Sequence, residues 1–204
     1  LPLIGRHNVM NAVAALAAAN DWGISSADAA NVFRTLVPAD QRGEVVRFAE
    51  GFTVINDSYN SSPTALDSMA ELLGATPGYA RRILAAGEML ELGNSSAELH
   101  RECGRHAADL GKLDWIFGVR GNAEELIRGA LEAGYPAERA RFFANSEEAG
   151  EFISRFATRG DLLLLKGSRG VRMEKILEAM ETGHARLPAA AAGASPATGP
   201  KGRD

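Results

Sequence analysis

Five short apolar runs, each followed by an amphipathic stretch of helical length, constrain the fold of this 204-residue chain more than any other feature. The runs are TVIN, RILAAG, LDWIFGV, ARFFA and DLLLLKG. Runs this continuous predict strands buried on both faces, and their alternation with helices predicts crossover connections. We therefore expect an α/β, Rossmann-like fold with a mostly parallel open sheet and helices on both faces.

The segment before these units is predicted to be helical. The alanine-rich stretch from Asn8 to Asn20 predicts one helix, and SSADAANVFRTLV predicts a second that stops before Pro38. Pro38 and Gly43 then separate short β-branched runs, which indicates a linker and a first strand near residues 44–48. A domain boundary is expected between Pro38 and Gly43.

The end of the chain has the composition of an unstructured segment. Residues 183–204 are rich in alanine, proline and glycine and show no periodicity. Such a segment has too little apolar surface to offset the entropy cost of ordering it. We therefore expect a disordered tail over 183–204.

The composition excludes several classes of partner. The formal net charge is -4 and no basic cluster stands out, so we expect neither a nucleic acid nor an acidic membrane surface as partner. The apolar stretches are too short to span a bilayer, and the first residues lack the order of a signal peptide. The sequence therefore predicts a cytoplasmic protein that does not insert into a membrane.

A metal site is not expected from the cysteine and histidine pattern. The single cysteine, Cys103, cannot form an internal disulfide or a multi-cysteine site. His100 and His106 are six residues apart, which does not place them on one helical face, and no carboxylates complete a ligand pattern. Glu88 and Glu91 could be paired carboxylates, although a solvated loop is the commoner explanation.

Three unusual loops are predicted to follow strands of the sheet. They are DSYNSSP, GEMLELG and KGSRG. Ligands of open parallel sheets bind at the carboxyl ends of the strands, where such loops lie. These loops are therefore the expected place for a binding site.

The KGSRG loop has two interpretations. Backbone N–H groups and the positive end of the next helix dipole would attract an anion, and Lys166 and Arg169 would strengthen that attraction. Alternatively, Ser168 caps the helix and the two basic residues are solvated. The chain contains no Walker A motif, so the loop is not a P-loop.

Four further polar residues are candidates with equally plain structural explanations. Asp57, at a strand end, is either a turn acid or a site acid, and Tyr59 could equally be a packing residue. Asn8 and Asn11 lie three apart on one helical face and could present paired amides to a ligand. Amides near a helix start are, however, usually caps.

Five segments together resemble the Mur ligase family, over about Leu3 to Met180. The segments are GRHNVMNAVAA, QRGE, INDSYNSSPTALDSM, GEMLELG and LLLLKGSRGVRMEKIL. The first is similar to a run shared across the family, and the last three resemble the members that add D-alanyl-D-alanine. The resemblance implies that residues 1–40 are the helical end of a central ATP-binding domain and that 41–182 are the family's C-terminal α/β domain.

The resemblance implies an ATP-dependent, amide-bond-forming ligase of peptidoglycan precursor synthesis that acts as a monomer. Its substrates would be UDP-N-acetylmuramoyl-tripeptide and D-alanyl-D-alanine, and its cofactors ATP and Mg²⁺. ATP would phosphorylate the tripeptide carboxylate, and the dipeptide amine would attack the acyl phosphate. The family's P-loop and metal ligands do not occur in this sequence, so the catalytic residues are unknown and we expect a C-terminal portion that is inactive alone.

The same resemblance implies nucleotide-binding residues. Asn8 and Asn11 are similar to the family residues that meet the adenine. Arg42 resembles the linker arginine that faces the nucleotide phosphates, and Asp57 resembles the acid near the ribose. The alternatives to this ligase are a sibling enzyme that adds another amino acid, or a non-catalytic module that binds a nucleotide or an anion.

Six residues are implied on the substrate side of the cleft. The resemblance places them in two groups: Asn60, Ser62 and Thr64 along the growing peptide, and Lys166, Ser168 and Arg169 at the carboxylate of the dipeptide. The family often has Asn at the position of Ser62, so the serine keeps a hydrogen-bonding group with a shorter reach.

Overall fold

The computed structural model describes residues 1–188 and contains one six-stranded sheet. The strands are β1 (Glu44–Arg47), β2 (Thr53–Asp57), β3 (Arg81–Gly87), β4 (Trp115–Val119), β5 (Ala140–Phe143) and β6 (Asp161–Lys166). Their order is β1-β2-β6-β3-β4-β5; β1 pairs antiparallel with β2, and every other pair is parallel. The mostly parallel open sheet predicted from the sequence is confirmed.

Seven α-helices accompany the sheet in the described residues. They are α1 (Arg6–Asp21), α2 (Ser26–Arg34), α3 (Pro63–Ala75), α4 (Ser96–Asp109), α5 (Ala123–Glu132), α6 (Ser146–Phe156) and α7 (Glu174–Gly183). Each of the five strand–helix units predicted from the sequence is present, from β2–α3 to β6–α7. None of these helices is long and apolar enough to cross a membrane.

The helices cover both faces of the sheet, as predicted. Helices α3, α4 and α5 pack on one face through buried residues such as Leu73 and Leu126, and α6 and α7 pack on the other through Ile153 and Met180. All six residues of β6 are buried because the strand lies in the middle of the sheet with helices on both sides.

The position of β6 determines where the three polar loops lie. β6 follows β5 in the chain but inserts between β2 and β3. The helices after β2 and β3 lie on one face, whereas the helix after β6 lies on the other. This reversal is a topological switch point, and it places the loops that follow β2, β6 and β3 side by side.

Helices α1 and α2 contribute little to this core. Within residues 1–35, Ala29 is the one buried apolar side chain, whereas Met10, Trp22 and Val32 are exposed, Trp22 to 83%. This is the segment that the sequence assigns to a separate domain ending at residue 40. The proposed division at 1–40, 41–182 and 183–204 stays a prediction.

The beginning of the predicted disordered tail is packed on the domain. Gly183 ends α7, the His184 ring packs edge-on against Phe52 at 5.0 Å between centroids, and Arg186 forms a β-bridge with Phe48. The expectation of disorder is therefore wrong for residues 183–188, because an aromatic contact and backbone pairing to the sheet edge offset the low apolar content. Residues 189–204 lie outside the described residues.

Two glycines allow α4 and α5 to pack in backbone contact. A Cβ added at Gly104 would collide with the carbonyl oxygen of Leu126, and one added at Gly129 would collide with that of Arg101. We expect Gly104→Ala to lower the free energy of unfolding by about 3 kcal/mol, because the obstacle is backbone and cannot rotate away. Denaturant unfolding of the chain measures this loss.

The matched control is Glu102→Ala, an exposed position on the same helix. We expect it to change stability by less than about 0.5 kcal/mol. Equal stability of Gly104→Ala and the parent chain would contradict the close packing of α4 on α5.

Candidate functional site

A buried ion pair joins the ends of β2 and β6. Lys166 Nζ lies 2.7 Å from Asp57 Oδ2 and also donates to the backbone oxygen of Asn60 at 3.0 Å. The side chains of Lys166 and Asp57 are only 4% and 19% exposed. The two residues are direct partners in the parallel register of the strands, so the sheet itself brings them together.

The loop after β6 is hydrogen bonded to the loop after β3. The N–H of Leu90 donates to Ser168 Oγ at 2.9 Å, and the N–H of Ser168 donates to the backbone oxygen of Glu88 at 3.2 Å. Ser168 therefore ties KGSRG to GEMLELG, whereas Lys166 ties KGSRG to DSYNSSP. The three loops predicted from the sequence form one connected surface.

His100, on α4, holds the GEMLELG loop through a hydrogen bond to its backbone. Its Nε2 accepts a hydrogen bond from the N–H of Met89 at 2.8 Å, and its Nδ1 lies 2.7 Å from the backbone oxygen of Ser96. This arrangement requires a neutral ring with its proton on Nδ1. Burial lowers the pKa of His100, which favours the same neutral form. In the sequence, His100 was considered only as a zinc ligand. No sequence pattern indicated that its ring accepts a hydrogen bond from the GEMLELG loop.

The two carboxylates of the GEMLELG loop differ in their surroundings. Glu88 Oε1 accepts from the backbone N–H of Asn122 at 3.0 Å and from its side-chain amide at 3.3 Å. Glu91 is exposed and has a positive φ of 66°. Glu88 is thus a structural acceptor at the start of α5. Among residues 1–188, no group of three or more His, Cys, Asp or Glu side chains could hold a metal ion.

Three adjoining cavities lie along this surface. The first, of about 290 Å³, is lined by residues of α1, by the linker before β1 and by the end of β2. All four residues predicted to bind a nucleotide line it: Asn8, Asn11, Arg42 and Asp57. The side-chain amide of Asn8 also donates to the backbone oxygen of Ile4 at 2.7 Å, so one of its donors is already used.

The second cavity, of about 400 Å³, continues from the first. Arg42 and Asp57 line both cavities, so the two spaces share a wall. Four residues predicted on the substrate side line the second cavity: Asn60, Ser62, Thr64 and Lys166. Ser61, which was not predicted from the sequence, also lines it, and its buried hydroxyl has no hydrogen-bond partner among residues 1–188.

The third cavity, of about 270 Å³, lies between DSYNSSP, GEMLELG and KGSRG. The remaining two predicted residues, Ser168 and Arg169, line it together with Tyr59, Asn60 and Glu91. Tyr59 also lines the second cavity. All ten residues selected from the sequence therefore lie along one cleft, although their roles stay predictions.

Lys166 differs from its expected environment. The sequence predicts a cation that faces a substrate carboxylate, but Asp57 and the Asn60 carbonyl already bind its ammonium group. Two exposed cations that line the cleft are Arg42 and Arg169, whose guanidinium carbons lie 4.2 and 5.4 Å from the centroid of the Tyr59 ring. The cleft can therefore offer two arginines, several hydroxyls and several amides to an anionic, polar ligand.

The comparison with protein families decides the affiliation of this domain. Residues 41–169 match the Mur ligase family in its glutamate ligase domain. The chain belongs to the Mur ligase family. The Mur ligase resemblance seen in the sequence is confirmed. The matched segment contains β1 to β6, the loops DSYNSSP and GEMLELG, and the KGSRG loop up to Arg169.

Several individual Mur ligases that the chain is similar to are ligases of D-alanyl-D-alanine. The Bacillus subtilis UDP-N-acetylmuramoyl-tripeptide–D-alanyl-D-alanine ligase is 34% identical over 178 residues, which are 87% of this chain and 38% of that protein. A crystal structure of MurF from Acinetobacter baumannii superposes with a TM-score of 0.77 at 30% identity, covering 89% of this chain and 39% of that one.

A second solved structure of this group contains a nucleotide. It is the MurF ligase from Thermotoga maritima in complex with ADP, with a TM-score of 0.71 and 26% identity over 89% of this chain and 39% of that one. The chain thus spans less than two fifths of the length of the relatives it matches. The similarity to MurF ligases covers both the N-terminal helices and the α/β domain.

The neutral state of His100 makes stability depend on pH. Its pKa is lowered in the folded chain, so the unfolded chain binds more protons once the pH falls below about 6.5, the unperturbed value. Stability from this group is present above that pH and is lost as the pH falls towards the lowered folded value. We expect a loss of up to about 1.4 kcal/mol per pH unit.

The variant His100→Gln isolates this effect. The glutamine oxygen can still accept from Met89 N–H but cannot titrate, so the variant should lose less stability than the parent between pH 6.5 and 5. Denaturant unfolding at several pH values measures the difference, and the two curves should run parallel above pH 7. Parallel curves across the whole range would refute the role of His100.

Proposed function

We propose that this chain is the C-terminal portion of an ATP-dependent ligase that joins D-alanyl-D-alanine to UDP-N-acetylmuramoyl-tripeptide in peptidoglycan precursor synthesis. The observation that carries the proposal is the single cleft in which all ten residues selected from the sequence lie. The activity of the similar Bacillus subtilis ligase supports the choice of substrates. We further propose that the enzyme is cytoplasmic and acts as a monomer.

The first cavity is the proposed nucleotide side of the cleft. Asn8 and Asn11 would meet the adenine, for which amide donors and acceptors are suitable. Asp57 would accept from the ribose, and it is oriented for this by Lys166. Arg42 would face the phosphates, because in residues 1–188 its guanidinium has no carboxylate within 4 Å.

The second and third cavities are the proposed substrate side. Asn60, Ser62 and Thr64 would line the peptide of the UDP-linked substrate. Ser168 and Arg169 would face the dipeptide carboxylate, and a guanidinium can bind a carboxylate through two parallel hydrogen bonds. Lys166 would act mainly by holding Asp57 and the Asn60 backbone in place.

The ligation would proceed through an acyl phosphate, with Mg²⁺ and ATP bound mainly by a part of the enzyme not contained in this sequence. The residues of this chain would bind the nucleotide, orient the dipeptide and surround the transferred phosphoryl group with positive charge. The chain alone would then not catalyse the reaction.

Phosphate release by the complete polypeptide tests the proposal. We expect release from ATP, Mg²⁺ and UDP-N-acetylmuramoyl-tripeptide that depends on D-alanyl-D-alanine, and no release by the 204-residue chain alone. Release that depends on a single amino acid would identify a sibling ligase instead. No release with any amine would indicate a non-catalytic module.

Within the same assay, Arg42→Ala should lower dipeptide-dependent kcat/KM by about 100-fold, because it removes a charge that faces the phosphates. The fold should survive, since no carboxylate in residues 1–188 pairs with Arg42. The matched control is Arg47→Ala, an exposed arginine of β1 that lines none of the three cavities. Equal activity of the two variants would remove Arg42 from the site.

A further inference from the structure

Two arginines from distant parts of the chain meet on one tyrosine ring. The guanidinium carbon of Arg42, in the linker before β1, lies 4.2 Å from the centroid of Tyr59. That of Arg169, after β6, lies 5.4 Å from the same centroid. Tyr59 is itself attached to the linker, because its N–H donates to the backbone oxygen of Gln41 at 3.1 Å.

The two arginines carry positive charge that nothing else in residues 1–188 neutralises. Some arginines of the domain form ion pairs, as Arg81 does with Asp161 and Arg186 with Glu44, whereas Arg42 and Arg169 are among those that do not. Two carboxylates line the cleft: Asp57 is already paired with Lys166, and Glu91 lines the third cavity with Arg169 but forms no ion pair with it. Arg42 and Arg169 have no carboxylate within 4 Å among the described residues, so a surplus of two positive charges remains beside Tyr59.

Both guanidinium groups lie against the same ring, so their like charges repel each other and the repulsion has to be offset. The negative face of an aromatic ring attracts a guanidinium, and this attraction is substantial for arginine over tyrosine. Tyr59 therefore offsets part of the repulsion and fixes where both side chains lie. An anion with two or more negative charges would offset the rest.

Tyr59 and the two arginines lie where the three cavities adjoin. Arg42 lines the first and second cavities, Tyr59 the second and third, and Arg169 the third. An anion bound by both arginines would thus lie between the proposed nucleotide side and the proposed dipeptide side. That is the place where a phosphoryl group in transfer has to be.

We propose that Tyr59 is a positioning residue that holds Arg42 and Arg169 as a pair, and that the pair binds a phosphoryl-type polyanion. Arg169 would then serve two anions, this one and the dipeptide carboxylate in the third cavity. The identification of the polyanion with a transferred phosphoryl group rests on the proposed function. The pairing of the arginines by Tyr59 does not. The phenol hydroxyl is not required, since the attraction comes from the ring.

Binding of inorganic pyrophosphate to the 204-residue chain tests the proposal without catalysis. Isothermal titration calorimetry should detect pyrophosphate binding at low salt. The affinity should fall as salt is added, because the attraction is between charges. Tyr59→Phe should bind as the parent does, since the ring is kept. Tyr59→Leu should bind about fivefold more weakly, because two cation–π contacts are lost.

Arg169→Met serves as the second arm and should weaken binding at least as much as Tyr59→Leu. Far-UV circular dichroism of each variant establishes that it is folded. Tyr59→Trp keeps an aromatic ring at this position, so it should bind pyrophosphate with the parent affinity even though Tyr59→Leu does not. Equal affinity of Tyr59→Leu and the parent, or no pyrophosphate binding by the parent, would overturn the proposal. Loss of binding in Tyr59→Phe would do so too.

The outcome is separable from that of the proposed function. If the Tyr59 variants behave as expected but the complete polypeptide releases no phosphate with D-alanyl-D-alanine, the positioning role stands and the ligase assignment fails. If the ligase assay succeeds while the Tyr59 variants show no effect, the ligase assignment stands and the positioning role fails.

Discussion

The structure depends on a central strand that has a buried charge at each end. At the start of β6, Asp161 is fully buried and pairs with Arg81 of β3; at its end, Lys166 pairs with Asp57 of β2. Each partner lies directly opposite in the parallel register. A buried charge without its partner is costly, so a slip of one residue in β6 would be penalised at both ends. The two pairs therefore specify where β6 lies between β2 and β3.

The arrangement of the cleft follows from that placement. Once β6 lies between its neighbours, the loops after β2, β3 and β6 share one edge of the sheet. Ser168 and Lys166 connect these loops by hydrogen bonds, and His100 of α4 holds the loop after β3. Lys166 neutralises Asp57 from within the protein, which leaves the arginines at Tyr59 as the cations open to a ligand. A rigid sheet edge thus supports short polar loops, as expected where bound groups must be held in a defined geometry.

The strands of the sheet and the loops of the cleft could be predicted from the sequence, but the order of the strands and several contacts could not. Strands such as TVIN and DLLLLKG are identified by their continuous apolar side chains, and the loops after them by Gly, Pro and small polar residues. The insertion of β6 between β2 and β3 could not be predicted, because buried strands have similar apolar patterns whatever their neighbours. The partner of Lys166 depends on that insertion, and the partner of His100 is a backbone N–H, which leaves no trace in residue types. The contacts of residues 183–188 depend on Phe48 and Phe52, far away in the sequence.

A double-mutant cycle on the ion pair at the end of β6 tests the central claim most directly. Unfolding free energies would be measured for the parent chain, Asp57→Asn, Lys166→Met and the double variant. Each single change should cost about 3 kcal/mol, and the double variant should cost at least about 1 kcal/mol less than the sum, because the second change removes a buried charge that the first left unpaired. The exposed pair Arg128–Glu124, examined in the same way, should couple by less than about 0.5 kcal/mol. Additive effects of Asp57 and Lys166 would contradict the claim that their pairing organises the cleft.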